Sequence, residues 1–156
     1  MIALVGFLSA VTTAKAVVML GAAHRQPPAL EAPLAFSARI ARADDGHYWA
    51  TGEVAGRQVR FLVDTGATAV SLTPEDARAV GIDPRALTYD SDVITAQGHT
   101  RAASVRLASL SVAGVTLNDV DALVIEKGLQ TSLLGMSYLG RLSSFEASPT
   151  ALVLQP

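Results

Sequence analysis

The stretch Arg60 to Leu72, RFLVDTGATAVSL, sets one carboxylate inside an apolar run. Phe61, Leu62 and Val63 precede Asp64, and Ala67, Ala69, Val70 and Leu72 follow it. Carboxylates rarely leave water unless they are paired or hydrogen-bonded. The residue types allow two readings. In the plainer one, Asp64 accepts from a nearby backbone N–H in a strand-to-loop turn, and Gly66 adopts a positive φ. In the other, Asp64 is held for acid–base chemistry and needs a partner. Gly66 then lets backbone N–H groups approach the carboxylate, and Thr65 offers a hydroxyl to a neighbouring backbone.

Other chemistries find less support. Gly135-Met-Ser137-Tyr-Leu-Gly140 resembles a nucleophile elbow but has one residue too many between the serine and the second glycine. No histidine follows it, since the last is His99, and Ser137 reads as the beginning of a helix. His24, His47 and His99 are far apart, and the chain has no cysteine, HExxH or glycine-rich phosphate loop. No metal and no cofactor are therefore expected. The formal net charge is −2, and the arginines are scattered with no basic stripe, which argues against a nucleic-acid partner. Tyr48 and Trp49 read as cross-strand packing, and His99 as an exposed turn residue.

The elements that must position Asp64 are mostly strands. Half the chain is hydrophobic and 17% is charged, enough to bury a core. Phe36 to Arg42 alternates as a half-buried strand does. Asp45-Gly46 signals a hairpin turn, with His47 to Val54 as the return strand. Ala55-Gly56 marks the next turn, and Gln58 to Val63 leads into Asp64. Thr73 can cap a short helix that has Pro74 at its first position, Glu75 and Asp76 in its first turn, and Gly81 as its stop. Asp92 to Thr100 reads as two extended arms around a glycine turn. Arg101 to Leu110 and Val115 to Ile125 are further strands. Ser132 to Leu142 is an apolar strand turning at Gly135 into a short helix. Phe145-Glu146 and Ala151 to Leu154 flank a last hairpin. Many short strands, one or two short helices and closely spaced turns predict an all-β fold, a small barrel or sandwich.

The N-terminus stands apart. Residues 1–23 form an apolar run with Lys15 as its single charge, and about 20 such residues suffice to span a bilayer. A membrane anchor is expected here, with a signal segment cleaved near Gly21-Ala22-Ala23 as the alternative. Residues 24–35 hold three prolines and read as a linker. The folded domain is expected over residues 36–156.

Three blocks in order carry a resemblance: FLVDTGATAVSLTPEDARAVG (61–81), VITAQGHT (93–100) and SLLGMSYLGRL (132–142). They resemble the retropepsin-like aspartic proteases, and more closely a bacterial, membrane-anchored, single-domain branch. The resemblance covers about Tyr48 to Pro156. It implies a small closed acid-protease barrel, active as a C2 homodimer on a protein or peptide substrate. It implies that Asp64 is catalytic and that Thr65, Gly66 and Ala67 complete its loop. Leu133, Leu134 and Gly135 would support that loop. Thr95, Ala96, Gln97, Gly98 and His99 would form a flap over the substrate.

Aspartic proteolysis needs two carboxylates around one water. Such a pair cannot both ionise easily, so its apparent pKa values split, as is known for aspartic-protease dyads. This chain has a single Asp-Thr-Gly. Asp90, Asp92, Asp119 and Asp121 lack a following Thr/Ser-Gly and flanking apolar runs, and read as solvated strand ends or turns. The expected partner is Asp64 of a second copy, across a two-fold axis. Ala151 to Leu154 would pair across that interface, and the anchor would place the domain on the outer, periplasmic side of a membrane. Met136 stands where viral members often carry a charged residue that buttresses the dimer. The alternative function is a non-catalytic module of the same fold that binds peptides or dimerises.

Overall fold

The computed structural model describes residues 38–156. The expected anchor and linker, residues 1–35, lie outside the described residues, as does Phe36. Among the described residues no helix is long and apolar enough to cross a membrane.

The strands are β1 (Ala38–Ala41), β2 (Trp49–Val54), β3 (Arg57–Val63), β4 (Val70–Leu72), β5 (Ser91–Thr95), β6 (Gly98–Val112), β7 (Val115–Ile125), β8 (Ser132–Leu134), β9 (Ser144–Ala147) and β10 (Ala151–Gln155). Two short helices, α1 (Pro74–Ala79) and α2 (Met136–Leu139), and one 3-10 turn (Pro84–Ala86) interrupt them. Seven strands form one sheet in the order β2-β3-β8-β4-β7-β6-β5. A further pairing of β2 with β6 closes six of these strands into a barrel and leaves β5 outside the ring. The all-β barrel expected from the sequence is present.

Closure depends on local chemistry. In β2, Ala50, Gly52 and Val54 alternate inward. A Cβ on Gly52 would lie 2.8 Å from the Phe61 ring, so the bare glycine makes room for the fully buried phenylalanine. The turns Ala55-Gly56 and Ala113-Gly114 both have positive φ at each residue, the backbone that matches the twist of a two-residue hairpin. Thr73 caps α1 by accepting from the Asp76 N–H at 3.1 Å, as expected, and Gly81 ends it at φ +90°.

The structure departs from the sequence reading in three places. The flap arm and the strand after it are one continuous strand, β6. Its inward set moves from Ala103 and Leu107 to Leu110 and Val112 as it passes Ala108. The partner β7 changes phase at the same level, where Asp119 has φ +52° and leaves the alternation. Arg141 braces this point by donating to the carbonyls of Asn118 (2.7 Å) and Asp119 (3.1 Å).

The second departure is β4, three residues long, which the sequence reading did not single out as a strand. The third concerns the C-terminus. β10 is the central strand of a three-stranded sheet, between β1 and β9. Both of its edges are hydrogen-bonded within the chain. Ala151 to Leu154 therefore does not present the free edge expected for pairing with a second copy.

Candidate active site

β3 ends at Val63 and delivers Asp64. Phe61, Leu62 and Val63 pair in parallel with Ser132, Leu133 and Leu134 of β8. The Asp64 N–H extends this ladder by donating to the Leu134 carbonyl at 3.1 Å. The chain then turns back, with the Ala67 N–H donating to the Asp64 carbonyl at 3.2 Å. The Gly66 N–H donates to Asp64 Oδ1 at 2.8 Å, so the half-buried carboxylate is oriented by its own loop. The hydrogen bond of the plainer reading is thus present. Its backbone conformation is not: Gly66 is absent from the positive-φ glycines. Glycine serves here through size, because a Cβ on Gly66 would lie 3.1 Å from Asp64 Oδ1.

Gly135 is the tighter constraint. A Cβ there would overlap the Ala69 carbonyl and lie 2.8 Å from the Ala67 oxygen. Two backbone segments cross at this point with no side chain between them, which only glycine allows. The Met136 N–H donates to the Ala67 carbonyl at 2.9 Å and ties the crossing together. One residue on, Ser137 sits in α2 as expected. Its hydroxyl accepts from the Val70 N–H (2.9 Å) and donates to the Asp121 carbonyl (2.6 Å). That hydroxyl joins α2, β4 and β7 and is committed to structure.

Asp64, Gly66, Ala67 and Thr68 border a cleft of about 670 Å³ with Leu62, Ser71, Leu123, Ile125 and Leu133. The register explains the wall. Leu62 pairs with Leu133, Leu133 with Ser71, and Ser71 with Leu123, so four strands place these side chains on one face. Residues 92–97 border the cleft from the other side, as does the segment Leu129 to Thr131. At the hairpin tip the Thr95 hydroxyl accepts from the Gln97 N–H (3.2 Å) and donates to the Gly98 carbonyl (3.1 Å), building the turn. Gly98 has φ +111°.

The structure separates the expected site residues into groups. Asp64, Gly66, Ala67, Leu133, Thr95, Ala96 and Gln97 border the cleft. Thr65 is exposed beside it and makes no side-chain hydrogen bond among the described residues. Leu134 is fully buried in the core, and Gly135 lies behind the loop. His99 pairs with Ile94, is exposed, and is not among the residues that border the cleft. Asp92 borders the cleft, which the sequence reading did not anticipate, and pairs with Arg101. Strand alternation puts it on the flap face opposite Val93 and Thr95. Asp121 forms a surface ion pair with Arg106 at 2.8 Å.

An Asp-Thr-Gly loop on a closed six-stranded barrel, beneath a hairpin flap, defines the retropepsin-like aspartic protease class. A family model described as "gag-polyprotein putative aspartyl protease" matches residues 50–141, and the chain belongs to that family. A crystal structure of a retropepsin-like aspartic protease from Rickettsia conorii is similar, with a TM-score of 0.70 and 36% identity. That match covers 76% of this chain and 98% of the other. The EIAV protease complexed with the inhibitor HBY-793 shares the fold at a TM-score of 0.52 and 17% identity, over 64% of this chain and 91% of that one.

Two uncharacterised bacterial proteins are also related. One, from a Sinorhizobium species, is encoded in a cobV 5′ region and is 40% identical over 71% of this chain. The other, from Rickettsia prowazekii, is 38% identical over 74%. The matches span 48% and 49% of those two proteins, so the chain corresponds to about half their length.

Proposed function

We propose that the chain is an aspartic endopeptidase whose site is completed by a second copy, with the two Asp64 carboxylates facing each other across a two-fold axis. The observation that carries this reading is the setting of Asp64. It emerges at the cleft floor on a loop held by the Gly66 N–H and the Leu134 carbonyl, below a flap. Asp92, the other carboxylate bordering the cleft, stands on the flap arm, on the face opposite Val93 and Thr95, and is followed by no Thr-Gly loop. The family resemblance and the similarity to the Rickettsia conorii protease support the same assignment.

In this reading one Asp64 is ionised and its partner protonated. The ionised carboxylate takes a proton from the shared water, and the water oxygen adds to the scissile carbonyl carbon. The protonated carboxyl donates a hydrogen bond to the carbonyl oxygen as negative charge develops there. The C–N bond then breaks as the carboxyl that took the water's proton passes it to the amide nitrogen, which leaves as the amine and restores one ionised and one protonated Asp64. The substrate lies extended below the flap, paired as an added strand.

Asp64→Asn keeps the shape and the acceptor for Gly66 but removes the base. It is expected to abolish peptide cleavage with an unchanged circular dichroism spectrum and melting temperature. Full activity in that variant would defeat the assignment. The apolar run of residues 1–23 supports a membrane anchor with the catalytic domain on the periplasmic side. Fractionation of cells making the chain with and without residues 1–35 tests this, and two equally soluble products would count against it.

A further inference from the structure

The cleft wall continues beyond its rim. Leu62 borders the cleft, and Trp49 is its direct cross-strand partner, so the two side chains share a face. Arg60 is two residues before Leu62 and shares that face as well. Its guanidinium carbon lies 4.3 Å from the centroid of the Trp49 ring. The indole is fixed from its other end, since Trp49 Nε1 donates to Asp45 Oδ2 at 2.8 Å. The His47 N–H holds the same carboxylate at 2.9 Å. These bonds keep the Asp45 pKa low, the His47 bond first and the Trp49 bond second. The indole is thus a prepared platform and the arginine a charge laid upon it.

Arg60 is exposed and forms no ion pair or side-chain hydrogen bond among the described residues. A stacked guanidinium keeps its donor edge free for a planar carboxylate. We infer that Arg60 on Trp49 is an outlying subsite for an acidic side chain of the peptide substrate. The inference rests on the protease reading of the cleft. Arg60 precedes Asp64 by four residues, about 13 Å along an extended strand. An extended peptide with its scissile bond at Asp64 brings a residue about four positions away to the same distance. Charge complementarity chooses the occupant: a glutamate or aspartate is attracted, and a lysine is repelled.

Three peptides of one sequence, carrying Glu, Gln or Lys four residues from a common scissile bond, on each side in turn, test this. The protein is expected to cut the Glu peptide with a kcat/KM about three- to fivefold above the Lys peptide, as for an exposed ion pair. The difference should lie in KM and shrink with added salt. In Arg60→Glu the order reverses. No order in the parent protein, or the same order in the variant, overturns the subsite.

If no peptide is cut, the failure is that of the protease reading, and binding still decides the subsite. Trp49 is the single tryptophan, so its fluorescence reports peptides arriving there. In Asp64→Asn the Glu peptide should bind more tightly than the Lys peptide, and adding Arg60→Glu should remove that preference. Equal binding of the two peptides in Asp64→Asn overturns the inference.

Discussion

Gly135 packs its bare Cα against the Ala69 carbonyl, which occupies the place where any Cβ would project. This contact lets β8 and the segment after the Asp-Thr-Gly loop cross at backbone distance. It also sets the height at which Asp64 leaves the barrel, because Leu134, next to Gly135, accepts the Asp64 N–H. Gly135→Ala is expected to destabilise the domain by about 3 kcal/mol, as overpacking of a rigid site does. The backbone oxygens of Ala67 and Ala69 cannot move aside as a flexible side chain could. Urea unfolding measures the loss, and a variant as stable as the parent would show that the crossing relaxes.

Ser137 offers a smaller test of the same scaffold. Removing its hydroxyl leaves the Val70 N–H without its acceptor and cuts the link to Asp121. Ser137→Ala is expected to cost about 1–2 kcal/mol in unfolding free energy. Ser137→Thr, which keeps the hydroxyl, should lose less. Because Ser137 acts as a strut and not as a nucleophile, serine-directed acylating reagents should leave activity unchanged.

These two residues also show what the sequence made legible. The strand into Asp64, the Thr73 cap and the glycine-tipped flap are signalled by residues close together in the chain. Local alternation and turn chemistry were enough to read them. Gly135 was visible as a turn, but its contact with Ala69 joins segments far apart in sequence and follows from the barrel register. Residues Val70 to Leu72 form a strand only because β7 and β8 supply its partners. Likewise, the apolar character of Ala151 to Leu154 marks a buried strand without saying which strands cover its edges. The Arg60–Trp49 stack is a diagonal cross-strand contact, and Asp119 carries no local sign that the strand changes phase there.

Tyr138 predicts an alkaline limit to stability. Its side chain is fully buried and its hydroxyl donates to the Val115 carbonyl at 2.8 Å. Burial pushes its pKa up to about 12 from the ordinary value of 10.0. The folded state thus holds the proton more tightly than the unfolded chain. Its contribution is fully present below pH 10 and is lost as pH rises towards 12. Burial raises the pKa of Tyr89 as well, which adds to the decline in the same direction. Melting temperatures should be level from about pH 8 to 10 and then fall. Tyr138→Phe should flatten that fall while lowering stability near neutral pH by about 1 kcal/mol through the lost hydrogen bond. An equally steep alkaline fall in the Phe variant would assign the effect to other groups.

The central claim is that one active site needs two Asp64 carboxylates from two chains. Mixing tests it most directly. A fixed amount of the active chain is equilibrated with increasing amounts of Asp64→Asn, and peptide cleavage per active chain is measured. If copies pair at random across a two-fold axis, an equal mixture keeps about half the activity per active chain, and a ninefold excess keeps about one-tenth. The mixed dimers hold a single carboxylate and are silent. Activity that stays constant across the whole titration would contradict the shared site and place the chemistry within one chain.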